Sequence, residues 1–138
     1  MAGVERMGRS DSPPLWRTRM PSILIVDHEA HLVRRYRSEL AADGYEISVV
    51  PDADAALVWL SRHSADLVIL DLEVPGRRGL ELMTEILQRR RDTRILVHTA
   101  RPCYRDDFGS WGADAYVMKE SDLSSLRSAV AMLIRKAA

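Results

Sequence analysis

The sequence predicts an α/β protein with a doubly wound, five-stranded parallel sheet and helices on both faces. Short apolar runs alternate five times with segments whose apolar residues recur at helical spacing, the pattern of a parallel sheet covered by helices. Two of the runs, 23–26 and 67–70, contain no polar residue, which is typical of strands buried on both faces. Crossover connections between parallel strands are right-handed, so few topologies remain.

The elements follow one another along the chain with recognisable start and stop signals. The predicted strands are 22–26, 46–50, 67–70, 94–98 and 114–118. The second strand alternates more than the others, and we expect it near the sheet edge. The predicted helices are 29–43, a helix opened by Asp52 as N-cap, 79–90, a short and weak helix within 101–112, and a C-terminal helix from about 121–122. Gly44 is the predicted stop of the first helix.

Length and composition indicate one domain. We expect a disordered N-terminal extension over residues 1–20 and the folded domain over 21–138.

Twenty basic and twenty acidic residues cancel, so no global charge favours nucleic acid or a membrane surface as a partner. The lone Cys103 fits a reducing compartment, and no apolar run is long enough to span a bilayer. A cytoplasmic location is therefore expected.

Chemistry-bearing side chains stand at the carboxyl ends of four predicted strands. They are Asp27, His28 and Glu29 after strand 1, Asp71 after strand 3, Thr99 after strand 4 and Lys119 after strand 5. For five such units the common solution is the flavodoxin-like order 2-1-3-4-5, whose ligand crevice lies at the ends of strands 1 and 3. Carboxylates with a hydroxyl and an ammonium suit a phosphoryl group and a hard cation.

Four motifs in this order carry a resemblance to a known family. They are ILIVDHE at 23–29, LVILDLEVPG at 67–76, HTA at 98–100 and GADAYVMKE at 112–120. From residue 22 to about 135 the chain resembles a two-component response-regulator receiver domain of the CheY-like, stand-alone kind. The resemblance implies that Asp71 is the phosphoacceptor, that Thr99 and Lys119 bind the phosphoryl group, and that Thr99 and Tyr116 form the conformational switch.

The resemblance also implies a Mg²⁺ site made by Asp27, Asp71 and the backbone carbonyl of Glu73. Receivers usually carry a second acid where this chain has His28, and a neutral imidazole is a poor magnesium ligand. Three interpretations stay open. In the first, Asp27 or Glu29 substitutes for the missing acid and Mg²⁺ binds more weakly. In the second, efficient phosphorylation has been lost. In the third, another metal such as Mn²⁺ takes the place of Mg²⁺.

Two further features concern the pocket rim. The family's lysine is normally followed by proline, often through a cis bond. Here Glu120 follows Lys119, and we expect a trans bond because a cis bond before a non-proline residue costs about 2.5–4 kcal/mol. Glu73 and Arg101 match positions that flank the phosphorylation pocket in this family. In this chain they either form an ion pair that slows entry of water to an acyl phosphate or are two solvated side chains.

By this resemblance the chain takes a phosphoryl group from a sensor histidine kinase or a phosphotransfer protein. It then signals through the face of the fourth helix, fifth strand and C-terminal helix to an unidentified downstream protein. We expect no output domain and no enzyme activity beyond self-catalysed phosphoryl transfer and autodephosphorylation; a homodimer stays open. The alternative is a degenerate receiver that acts as a phosphorylation-independent interaction module. A flavin or nucleotide enzyme is disfavoured because no loop resembles such a site.

Overall fold

Five strands form one parallel sheet in the order β2-β1-β3-β4-β5. The computed structural model describes residues 20–76, 79–100, 112–120 and 122–137. The strands are β1 (Ser22–Val26), β2 (Glu46–Val50), β3 (Leu67–Leu70), β4 (Arg94–Thr99) and β5 (Ala115–Met118). The predicted fold class and strand order are confirmed, and β2 lies at the sheet edge as its alternating pattern indicated.

Four helices connect and cover the strands within the described part of the chain. They are α1 (Ala30–Ala42), α2 (Ala53–Arg62), α3 (Gly79–Arg89) and α4 (Ser124–Ala137). None of these helices is long and apolar enough to cross a bilayer. The predicted helix within 101–112, the predicted pocket residue Arg101, Cys103 and nearly all of the N-terminal extension lie outside the described residues.

The helix ends agree with the local signals in the sequence. Gly44 adopts a φ of +101°, which ends α1, and its N–H donates to the carbonyl of Ala41 over 3.0 Å. Asp52 caps α2, because its Oδ1 accepts from the N–H of Ala55 over 2.8 Å. The C-terminal helix starts later than expected, since Asp122 stays outside it and accepts from the N–H of Ser124 over 2.9 Å.

The core lies in two layers, one on each face of the sheet. Successive strand side chains point to opposite faces, so Leu24 and Val26 of β1 pack with α2 and α3, whereas Ile23 and Ile25 pack with α1 and α4. Burial of both faces explains why β1 and β3 contain only apolar residues after their first position.

Backbone hydrogen bonds continue the sheet one residue beyond three strands. Asp27 donates to the last carbonyl of β2 over 3.1 Å, and Asp71 donates to the last carbonyl of β1 over 3.0 Å. Lys119 donates to the last carbonyl of β4 over 2.8 Å. These bonds fix the positions of two carboxylates and one ammonium at the carboxyl edge of the sheet, which is where a doubly wound fold binds its ligands.

Gly79 allows α3 to begin close against the loop that follows Asp71. A Cβ added to Gly79 would lie 2.6 Å from Leu72 Cδ2 and 2.8 Å from Leu72 Cα. Leu72 is itself buried, so its backbone has little room to move away.

We predict that Gly79→Ala lowers the free energy of unfolding by about 1–3 kcal/mol, because the added methyl group overpacks this contact. Urea denaturation followed by circular dichroism measures the change. The double variant Gly79→Ala with Leu72→Ala is the matched test, since the smaller side chain relieves part of the clash. Equal stability of Gly79→Ala and wild type would contradict this packing.

Candidate functional site

Asp27 and Asp71 adopt the same local arrangement at the ends of β1 and β3. Both are buried, and the Oδ1 of each accepts the backbone N–H two residues further on, from Glu29 and Glu73 respectively, over 3.0 Å in each case. This is the turn that aspartate forms with its own backbone. It fixes both carboxylates, and in each of them the other oxygen contacts Lys119.

Lys119 joins the three carboxylates of the site. Its Nζ lies 2.9 Å from Asp27 Oδ2 and 2.8 Å from Asp71 Oδ2, and it also pairs with Glu29. An ammonium has three N–H donors, so three carboxylates satisfy it. The Lys119 side chain is 7% exposed, whereas that of Glu29 is 44% exposed. Of these three carboxylates, Glu29 is therefore the one that water can readily solvate.

The protonated form of Lys119 is strongly favoured. Burial opposes the charge and would lower the pKa of Lys119, but the hydrogen bonds with Asp71, Glu29 and Asp27 outweigh it and raise the pKa above its usual value. The ammonium therefore stays charged at neutral pH and is available for a phosphoryl oxygen. With three carboxylates and one ammonium, the cluster carries a formal charge of −2, which favours binding of a divalent cation.

Tyr36, which belongs to none of the sequence motifs, supports the site from α1. Its hydroxyl donates to Asp27 Oδ2 over 2.5 Å, and the side chain is buried. Burial, followed by the charge of Asp27, raises the pKa of Tyr36 far above its usual value, so the hydroxyl remains a neutral donor. A polar group on the core-facing stripe of α1 was the available signal, because a buried tyrosine hydroxyl usually has a partner.

His98 lies on the other side of Tyr36, one residue before Thr99. The two rings meet edge to face with centroids 5.2 Å apart, so His98 packs against Tyr36. Burial, and then the charge of Lys119, lower the pKa of His98 to about 4, although Asp27 and Glu29 oppose this. The imidazole is therefore neutral at physiological pH.

The remaining predicted residues occupy the positions that the strand order implies. Thr99 is fully buried at the end of β4. Tyr116 lies on β5 opposite Val97 and is partly buried against the core. Glu73 is exposed; the predicted Glu73–Arg101 pair stays a prediction because Arg101 lies outside the described residues. The bond between Lys119 and Glu120 is trans, as predicted.

Three side chains of the described residues could share a metal ion. One ligand atom each from Asp27, His28 and Asp71 lies within 4.8 Å of the other two. The two carboxylates suit any divalent cation, including Mg²⁺, and the imidazole suits a transition metal better. The donor set is therefore compatible with a divalent metal at this edge of the sheet, beside the ammonium of Lys119.

We predict that Tyr36→Phe lowers the free energy of unfolding by about 1.5–3 kcal/mol, because a buried carboxylate loses a charge-assisted hydrogen bond. A double-mutant cycle with Asp27→Asn, measured by urea denaturation, isolates the interaction. The less buried Tyr45→Phe is the control and should change stability much less. Additive effects of the Tyr36 and Asp27 variants would contradict a direct interaction.

Stability should fall in acid partly because of His98. The unfolded chain binds a proton at His98 below about pH 6.5, whereas the folded chain does so only near pH 4. The free energy of unfolding therefore drops as pH falls through this window, by about 3 kcal/mol at pH 4 from this residue alone. His98→Phe should remove that part of the pH dependence, and the exposed His63→Gln should not. An unchanged profile in His98→Phe would contradict the neutral, buried imidazole.

Several known proteins are similar to this chain in sequence. The family model of the response regulator receiver domain matches residues 23–131. The two-component response regulator PhoP of Pseudomonas aeruginosa is 34% identical over 116 residues, which are 83% of this chain and 52% of PhoP. The response regulator ArlR of Staphylococcus aureus is 33% identical over 119 residues, which are 85% of this chain and 54% of ArlR. The chain thus spans about half the length of these relatives.

Solved structures show the same fold. Response regulator protein TrrA of Thermotoga maritima, crystallised with Mg²⁺-BeF, is 39% identical and has a TM-score of 0.77 over 83% of this chain and 99% of TrrA. TrrA in complex with the histidine kinase ThkA gives a TM-score of 0.75 over 83% of this chain and 98% of TrrA. On the site geometry, the family match and these relatives together, the chain belongs to the response-regulator receiver domain family.

Proposed function

We propose that this chain is the phosphoacceptor of a two-component phosphorelay and takes a phosphoryl group onto Asp71. The observation that carries the proposal is the 2.8 Å contact between Lys119 Nζ and Asp71 Oδ2 in a buried site. It places a permanent cation beside the carboxylate that would be acylated, where it would meet an oxygen of the incoming phosphoryl group. The donor would be a phosphohistidine of a sensor histidine kinase or a phosphotransfer protein, by analogy with TrrA and ThkA.

The transfer would exchange one phosphorus bond for another. A carboxylate oxygen of Asp71 attacks phosphorus, the P–N bond of the phosphohistidine breaks, and the imidazole leaves with its electron pair. The product is an acyl phosphate on Asp71. Attack by water on phosphorus would later release inorganic phosphate and restore the carboxylate. This self-catalysed transfer and hydrolysis is the only enzyme activity that we propose.

Lys119 would have to exchange a partner when the phosphoryl group arrives. Its three donors are satisfied by three carboxylates in the unphosphorylated chain. We expect Glu29 to be released, because it is half-exposed and water can solvate it at low cost, whereas Asp27 is buried. Lys119 would then bridge Asp27 and a phosphoryl oxygen.

A divalent metal would complete the site. Asp27, Asp71 and the backbone carbonyl of Glu73 would hold it, as the resemblance implies, and His28 is near enough to contribute. When bound, such a metal neutralises negative charge on the phosphoryl oxygens. Mg²⁺ is the metal of the TrrA complex, and Mn²⁺ is the alternative that His28 suggests.

We further propose that Thr99 and Tyr116 transmit the signal. The hydroxyl of Thr99 would turn toward the phosphoryl group, and Tyr116 would follow into the vacated space. Affinity for an unidentified downstream protein would change at the face formed by the predicted fourth helix, β5 and α4. Formation of a homodimer through this face is a second way in which the signal could be transmitted. We propose a cytoplasmic location for this pathway.

The alternative function is an interaction module that works without phosphorylation. His28 and Glu120 favour it, because the usual second acid and the usual proline are absent. Asp71, Thr99 and Lys119 oppose it. Phosphorylation from a small-molecule donor separates the two functions, since it does not require knowledge of the cognate kinase.

We predict that acetyl phosphate with Mg²⁺ or Mn²⁺ adds one phosphoryl group, detected by intact-mass spectrometry. Asp71→Asn should abolish the gain, and removal of the metal with a chelator should suppress it. Asp66→Asn is the matched control, because Asp66 lies at the opposite end of β3 from Asp71 and accepts the backbone N–H of Ser22 there. No gain in mass with either metal would support the interaction module instead.

A further inference from the structure

His28 occupies a position from which it can share a metal with the two aspartates. One ligand atom of His28 lies within 4.8 Å of ligand atoms from both Asp27 and Asp71. The two aspartates are buried and fixed by backbone hydrogen bonds, whereas His28 is exposed at the entrance. The imidazole can therefore turn onto an ion held by the carboxylates without disturbing the core.

Glu29 is the other candidate to replace the missing acid, but its carboxylate is engaged in an ion pair. Its carboxylate pairs with Lys119, and it does not belong to the group of metal-ligand candidates found among the described residues. Glu29 contributes charge instead, because its carboxylate is one of the three that give the cluster with Lys119 a formal charge of −2. The usual second acid would supply both a negative charge and a ligand atom. Here Glu29 supplies the charge and His28 supplies the ligand atom.

This division changes which metals the site favours. Mg²⁺ requires oxygen ligands in a nearly ideal octahedron, and an imidazole nitrogen in place of a carboxylate weakens its binding. Divalent transition metals accept nitrogen and oxygen together, and imidazole is among their common ligands. We propose that Asp27, His28 and Asp71 form a mixed nitrogen–oxygen site that selects a divalent transition metal over Mg²⁺, with His28 as a direct ligand.

The inference deepens the proposed function, because this is the metal that phosphoryl transfer to Asp71 would use. Metal binding is nevertheless measurable without any phosphodonor. Binding of the metal alone and phosphorylation by acetyl phosphate are therefore separate measurements. A chain that binds a transition metal through His28 but gains no phosphoryl group would leave the inference standing and overturn the proposed function.

The test titrates the full chain with Co²⁺ and with Mg²⁺, using calorimetry for affinity and the Co²⁺ absorption spectrum for nitrogen ligation. His28→Ala should weaken Co²⁺ binding at least about tenfold and change the spectrum, while Mg²⁺ affinity changes far less. His28→Asp should strengthen Mg²⁺ binding at least about tenfold, because it restores an oxygen ligand. The exposed His31→Ala on the first turn of α1 is the matched control and should change neither affinity.

Two results would overturn the inference. In one, His28→Ala leaves the affinity and spectrum of Co²⁺ unchanged. In the other, Co²⁺ binding persists when both aspartates are replaced by asparagine, which would assign the metal to another surface site. Circular dichroism melting curves verify that each variant is folded, and His28 tolerates substitution because it is exposed.

Discussion

The ion pairing of Lys119 is the constraint on which the rest of the site depends. A buried ammonium requires compensating carboxylates, and the only ones it contacts among the described residues follow β1 and β3. Lys119 itself follows β5, two strands away from β3 in the sheet. The interaction therefore holds the loop after β5 over the ends of the central strands, and it leaves a charged donor beside Asp71.

The fold could be predicted from the sequence because each of its local signals agrees with the global arrangement. The unbroken apolar runs of β1 and β3 require cover on both faces, which leaves the alternating β2 for the edge. Parallel strands place their carboxyl ends together, so Asp27, Asp71 and Lys119 could be assigned to one site before any distance was known. Element ends were predicted less well, since β5 begins one residue later than expected and α4 begins after Asp122, which accepts the N–H of Ser124 from outside the helix.

Other parts of the site depend on packing that a linear pattern does not contain. Helical spacing indicates that Tyr36 faces the core, but not that its hydroxyl reaches Asp27 or that its ring meets His98. The pairing of Glu29 with Lys119 joins residues 90 positions apart and depends on how the loop after β5 crosses the sheet edge. Tyr36 therefore lies between the acidic cluster and the strand that carries Thr99.

The most direct test of Asp71 as acceptor and Lys119 as its phosphoryl-binding cation is a crystal structure with beryllofluoride, a phosphoryl mimic, and Mn²⁺. We expect beryllofluoride on Asp71, Lys119 Nζ in contact with a fluoride and with Asp27, and Glu29 released from Lys119. The anomalous signal of Mn²⁺ would locate the metal beside the two aspartates. A structure in which Lys119 still pairs with all three carboxylates and Asp71 carries no beryllofluoride would contradict these roles of Asp71 and Lys119.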